Sequence, residues 1–249
     1  MSDRTPAENT AAREAILARI REALRVPAPP PHLSGHAAAA APEPNGRPGL
    51  MILPAEAGRP WLPDGGDTPA ESLRILADNL AKLRAVFFQV PDLAAAADCL
   101  FAQARERDWQ RVAWHDHPLV AGILAGIPCS TLRIDAPDEA FDKRSLEACD
   151  AGITACECLV AQTGSILVAS DSCGGRALSI LPHCHVVIAT VDQVVPVLAD
   201  ALALIRDRHT ANLPSMFSFI TGPSRTGDIE RILVLGAHGP KELIVILVG

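Results

Sequence analysis

From residue 68 to residue 148 two rhythms alternate, and that alternation constrains the fold more than any other feature of the sequence. Thr68-Pro69-Ala70-Glu71 is a capping box with proline at the first helical position, and Leu73, Leu76, Leu80 and Leu83 then recur on one face, predicting a helix to about Ala85. A short apolar run, Val86 to Val90, comes next, then an Ala-rich helical stretch from Pro91 to about Arg107 and a second apolar run, Arg111 to Trp114. A short helix near Pro118 to Ala125, a strand from Cys129 to Ile134 and a helical Asp138 to Ala148 continue the pattern. Strands separated by single helices predict an α/β fold, a mixed sheet flanked by helices.

The following residues have a different grammar. Ala155 to Ala161 and Ser165 to Ala169 are apolar runs joined by Gln162-Thr163-Gly164, the pattern of a hairpin. Leu178 to Thr190 reads as a strand broken by Pro182, and Asp192 to Arg206 as a helix with Val194, Val195, Leu198, Leu202 and Ile205 inward. Phe217 to Thr221 is a predicted strand, followed by a Gly-rich turn, a short helix near Asp228 and a strand from Glu242 to Val248.

Upstream of this region, Thr5-Pro6-Ala7-Glu8 opens another amphipathic helix, with Ile16, Leu17, Ile20 and Leu24 on one face, ending at Pro27. Residues 27–49 are rich in Pro, Ala and Gly and offer little to bury, so the expected organisation is a helix in 1–26, a flexible linker in 27–49 and an α/β domain in 50–249.

Composition narrows the function classes. With 22 Lys+Arg against 29 Asp+Glu the net charge is −7, which argues against duplex nucleic acid or an anionic membrane as the main partner. There is no Tyr, so no tyrosyl group takes part in any mechanism. Met1 to Asn9 lacks an apolar h-region and no apolar run approaches the ~20 residues of a membrane-spanning helix. The seven cysteines form no even disulfide framework, and free thiols fit a cytoplasmic protein.

Thr221-Gly222-Pro223-Ser224-Arg225-Thr226-Gly227-Asp228-Ile229-Glu230, followed by Gly236-Ala237-His238-Gly239-Pro240, is the most specific segment. A strand, a Gly-rich loop and a helix start present backbone N–H groups to an anion, with Ser224, Arg225 and Thr226 adding donors. The plainer alternative is that these residues cap a helix and turn the chain. His238, bracketed by turn residues, is the better functional candidate among the histidines; His183 reads as a satisfied core histidine, and His115, His117 and His209 as surface or packing residues.

Cys156 and Cys158 sit two apart and would face one side of a strand, where they could meet His183 and His185 as metal ligands; the spacing matches no standard metal run, and the core-thiol alternative is the expected one, with no metal. Cys173 is expected in a flexible, exposed loop. Glu157 interrupts an apolar stretch and needs a partner, for which Arg176 and Arg225 are the candidates.

The Thr221 to Glu230 segment, His238-Gly239-Pro240, Gly152-Ile153-Thr154, Glu157, Ala161-Gln162-Thr163-Gly164-Ser165 and Leu181-Pro182-His183-Cys184-His185 together resemble, in order and spacing, the lactate-utilisation protein C family, the LUD domain. The resemblance covers about residue 70 onward. It implies a fold similar to the NagB/RpiA/CoA-transferase group and a role, with iron–sulfur partner proteins, in oxidising L-lactate to pyruvate. The clusters would lie in the partners, and this chain would bind no cofactor of its own.

The resulting expectation is a subunit that binds a small carboxylate or phosphorylated ligand between the loops at 163–165, 222–230 and 238–240. Its candidate catalytic residues are Glu157, Asp228 and His238; its candidate ligand-binding residues are Thr163, Gly164, Ser165, Arg176, Gly222, Ser224, Arg225, Thr226 and Gly239. The alternative is a free-standing enzyme of the CoA-transferase or sugar-phosphate isomerase kind, with Glu157 or Asp228 as base or nucleophile.

Overall fold

The computed structural model describes residues 63–134, 142–209, 213–226, 234–235 and 239–249, with Glu14, Leu17 to Arg19, Arg21, Glu22 and Arg25 before them. Met1–Gly58 and Arg59–Gly249 are separate units. In the first, the described residues from Glu14 to Glu22 are helical; the rest of the predicted first helix and the whole linker lie outside the described residues.

The capping box forms as its residue types require. Thr68 Oγ1 accepts the Glu71 N–H at 3.3 Å and the Glu71 carboxylate accepts the Thr68 N–H at 3.2 Å, opening α1 (Pro69–Lys82). Its Leu76 and Leu80 are fully buried. β1 (Val86–Val90), α2 (Leu93–Glu106), β2 (Arg111–His115), α3 (Pro118–Leu124), β3 (Ser130–Ile134), α4 (Lys143–Glu147) and β4 (Ala151–Thr154) follow. Asp92 and Asp142 cap α2 and α4 by accepting backbone N–H bonds. Of the helix predicted from Asp138, residues 138–141 lie outside the described residues.

The remaining elements are β5 (Cys158–Val160), β6 (Ser165–Ala169), β7 (Cys184–Thr190), β8 (Val194–Val195), α5 (Leu198–Arg208), β9 (Phe217–Ile220), β10 (Arg225–Thr226), β11 (Val234–Leu235) and β12 (Glu242–Val248). Two predicted elements are corrected. The strand expected from Leu178 begins only at Cys184, because Ala177 O accepts the N–H groups of Ile180 and Leu181 in a turn and Pro182 has no N–H to give a ladder. The helix expected from Asp192 starts at Leu198: Pro196 forces its predecessor into extended backbone, and Val194 and Val195 pair with Leu159 and Val160 as β8. Leu198 and Leu202 are exposed rather than inward, and Ala201 is the buried residue of α5.

The α/β architecture with helices flanking a sheet is present, and the mixing of strand directions is divided between two sheets. Six strands in the order β1-β12-β7-β4-β2-β3 are all parallel; a second sheet, β8-β5-β6-β9, is mixed; β10 and β11 form an antiparallel ribbon. β12 shows why the main sheet reads as continuous apolar sequence. Ile244 and Ile246 face α2 and α3, whereas Leu243, Val245 and Leu247 face α1 and the second sheet through Leu159, Ile166 and Val168. Each such fully buried side chain stabilises the fold by about 1.5–3 kcal/mol. Behind the second sheet, Cys158, Val160 and Leu167 pack on Ala201 of α5. The layer order is therefore helices, parallel sheet, mixed sheet, helix.

Candidate functional site

The parallel strands share a direction, so the sheet has an amino edge and a carboxyl edge, and the candidate residues divide between them. At the amino edge, the β5–β6 hairpin turns at Gly164, whose φ of +65° favours glycine; a Cβ there would lie 2.9 Å from Leu83 Cδ1. Asn79 Nδ2 on α1 donates to the carbonyls of Ala161 (2.8 Å) and Gln162 (3.2 Å), fixing the tip. Thr163 Oγ1 and Ser165 Oγ are 2.7 Å apart, and Ser165 Oγ is 2.8 Å from Thr221 Oγ1, which joins the hairpin tip to the root of the Gly-rich loop. Gly222, at φ +88°, also sits against Leu83.

Further along this loop the Ser224 N–H donates to Pro240 O at 2.9 Å, and a Cβ on Gly239 would lie 3.3 Å from Ser224 Cβ. Arg225 and Thr226 pair with Leu235 and Val234 in the ribbon. Asp228, Glu230 and His238 lie outside the described residues. The Lys241 N–H donates to His183 O at 2.9 Å, beside a cleft of about 510 Å³ lined by Arg107, Trp109, Glu147, Asp150, His183 and Glu242. His183 is exposed, contrary to the core role expected for it. The core histidine is His185, fully buried, with Nε2 2.9 Å from Thr154 Oγ1, and burial holds its pKa down to about 3.

At the carboxyl edge β2 ends at His115 beside the end of β4 at Thr154. The chain leaves β2 through α3 for β3 on one side, and leaves β4 for β5 and β6 of the second sheet before it returns as β7 on the other, so the two strand ends flank the place where connections diverge. That is where open α/β sheets form a ligand crevice. His115 is buried, and its Nε2 accepts the Ala155 N–H at 3.1 Å. Burial and the neighbouring His117 hold it uncharged to about pH 4. His117 caps α3, its Nδ1 accepting the Leu119 N–H at 3.3 Å, and the two rings lie 5.6 Å apart. Burial lowers the His117 pKa, against the pull of Glu157.

Glu157 is buried here, with partners other than those expected. Arg208 Nη1 donates to its Oε2 at 2.8 Å and the Ser172 hydroxyl donates to its Oε1. Arg176, on the same loop as Ser172, is exposed and donates to Ser215 O at 3.1 Å. Gly174, at φ +78°, presses the loop onto β2: a Cβ there would lie 2.8 Å from His115 Cβ. The structure thus separates Glu157 and Arg176 from Thr163, Gly164, Ser165, Gly222, Ser224 and Gly239 by the length of β6.

The cysteines are also placed differently. β5 begins at Cys158, so its alternation does not extend back to Cys156: Cys156 enters the core between the sheets and Cys158 the core under α5. Cys173 is buried, not exposed. Burial raises all three thiols, Cys158 to about 12, so none is a thiolate at neutral pH. Among the described residues, no three His, Cys, Asp or Glu side chains come together as a metal ion would require.

Sequence reasoning missed His117, Ser172 and Arg208. The signal for His117 was present in His117-Pro118, since a proline at the first helical position makes its predecessor the N-cap. Nothing local marked Arg208 as the partner of Glu157.

The LUD domain profile matches residues 76–248. The chain is 36% identical over 113 residues to Lactate utilization protein C 1 of Bacillus mycoides (strain KBAB4), a stretch covering 45% of this chain and 48% of that protein. It is 36% identical over 108 residues to Lactate utilization protein C of Bacillus subtilis (strain 168), covering 43% and 45%. The chain thus matches about half the length of these curated relatives. The crystal structure of a DUF162 family protein from Deinococcus radiodurans has a TM-score of 0.56 at 23% identity, covering 73% of this chain and 99% of that one, which shows a shared fold.

Proposed function

The chain belongs to the LUD domain family, and from that premise we propose that it is a cytoplasmic subunit used in oxidising L-lactate to pyruvate alongside iron–sulfur partner proteins, binding a small carboxylate or phosphorylated ligand at the amino edge of its sheet. The names of its relatives support the pathway. The observation that carries the ligand site is the hydroxyl chain Thr163–Ser165–Thr221, which brings the hairpin tip and the Gly-rich loop to one place. Backbone N–H groups of that loop, with Ser224, Arg225 and Thr226, would hold the anion, and His238 and Asp228 would move protons beside it. In this reading the chain carries no redox cofactor, and electrons pass to clusters held by the partners. Among the described residues no helix is long and apolar enough to cross a membrane.

Deleting the gene should abolish growth on L-lactate while leaving growth on pyruvate intact, and Arg225→Ala should fail to restore it. Unchanged growth on L-lactate would overturn the proposal.

A further inference from the structure

We propose that β1 is the contact strand of a two-fold dimer, pairing antiparallel with β1 of a second copy so that the two six-stranded sheets become one. β1 is an edge of the parallel sheet, with β12 on one side and, among the described residues, no strand on the other. Its apolar side chains are already spent: Val86, Phe88 and Val90 pack on the core that faces α2 and α3, and Phe87 on the core that faces α1. What remains is backbone. Val90 O accepts the Gly249 N–H at 2.8 Å, so Val90 turns its peptide groups toward β12, and Phe88 and Val86 do the same. Phe87 and Gln89 therefore present their N–H and C=O groups outward, a row that only water or another strand satisfies.

Self-complementarity and charge select a second copy over a foreign strand. With Phe88 opposite itself on a two-fold axis, Phe87 of each copy lies opposite Gln89 of the other, and these outward-facing residues exchange both of their backbone hydrogen bonds. Ala85 and Pro91 then fall opposite one another, and neither has an N–H to give: that of Ala85 goes to Leu80 O at 3.0 Å, and proline has none. The ladder thus starts and stops at matching places on both chains. One position further out, Arg84 falls opposite Asp92 of the second copy, twice by symmetry. Both are exposed, and neither has an ion-pair partner among the described residues. β1 itself carries no charge, as a strand shared by two chains of net charge −7 requires. β3, the other edge of the sheet, carries Arg133, the kind of charge that blocks strand addition. Antiparallel joining sends the amino edges of the two sheets to opposite ends, so each copy keeps its own ligand loops.

The inference stands on this edge and does not depend on the ligand or on lactate growth. Its test is sedimentation equilibrium of the full chain over a range of concentrations, with hydrogen exchange read at single amides. The full chain should reach twice the 26.3 kDa of one copy, and the Phe87 and Gln89 amides should exchange more slowly as the dimer forms. Gln89→Pro deletes an outward N–H and none that β12 uses, at the cost of an exposed side-chain bond to Gly249 O, so the sheet survives. It should raise the dimer Kd at least about 10-fold. Arg84→Asp sets two carboxylates opposite each other and should weaken the dimer; adding Asp92→Asn, which keeps the N-cap of α2, should recover it. If Gln89→Pro fails to fold, the charge variants and the amide exchange still decide. A monomer at every concentration, a dimer unmoved by Gln89→Pro, or no recovery on adding Asp92→Asn would overturn the proposal. So would slow exchange of both amides in a monomer, which would give the edge to another segment of this chain.

Discussion

Gly174 and its neighbour Gly175 differ in a way only the packed structure discloses. Both have positive φ, but a Cβ on Gly174 would lie 2.6 Å from Leu178 Cδ2 and 2.8 Å from His115 Cβ, whereas Gly175 faces open space. Gly174→Ala should therefore cost about 2–4 kcal/mol in urea denaturation, strain and overpacking together, and Gly175→Ala about 1 kcal/mol. The buried imidazoles set an acid limit. Each takes a proton near pH 6.5 when unfolded, but folded His115 resists to about pH 4 and His185 to about pH 3. Their contribution is thus complete above about pH 6.5 and is lost as pH falls toward 4, each steepening the loss by about 1.4 kcal/mol per pH unit. Urea denaturation at pH 6, 5 and 4 should show a slope shallower by that amount in His185→Gln. At this scale the sequence displayed that Glu157 needed a partner, but not which arginine, because Arg208 reaches it from another layer, 51 residues away in sequence.

At the scale of elements, legibility followed locality. α1 was readable because its cap, its proline and its leucine stripe are all written within the helix itself. Thr68→Ala should lower thermal stability by about 1 kcal/mol, the ordinary worth of an N-cap. The stretch from Leu178 to Arg208 was misread where two prolines, Pro182 and Pro196, outweigh apolar periodicity. β8 is two residues long and exists because β5 offers it a ladder, which no local pattern announces. The hairpin tip was readable as a turn, and its attachment to Thr221 was not. Ser165→Ala, which leaves Thr163 and Thr221 without their shared hydroxyl, should cost about 1–3 kcal/mol and speed amide exchange at Gly164.

For the whole molecule, the alternation of helical and apolar segments pointed to an α/β core and the structure divides that core among layers. The division accounts for the thiols. Cys149, Cys156, Cys158, Cys173 and Cys184 are buried, and Cys99 and Cys129 are half-buried. Ellman's reagent should therefore modify no more than two of the seven before unfolding and all seven in denaturant. The order of strands was the part of the fold least visible in the sequence, since each ladder joins distant residues and depends on tertiary contacts rather than on local pattern. One ladder has a consequence for biosynthesis. β12 lies between β1 and β7, pairing Ile244 with both Val86 and Val186. While a ribosome is still making the residues before Glu242, β1 has no strand to join and the sheet is split in two. A nascent chain paused there would expose apolar strand surface, and chaperones that bind such surface should hold it until β12 emerges.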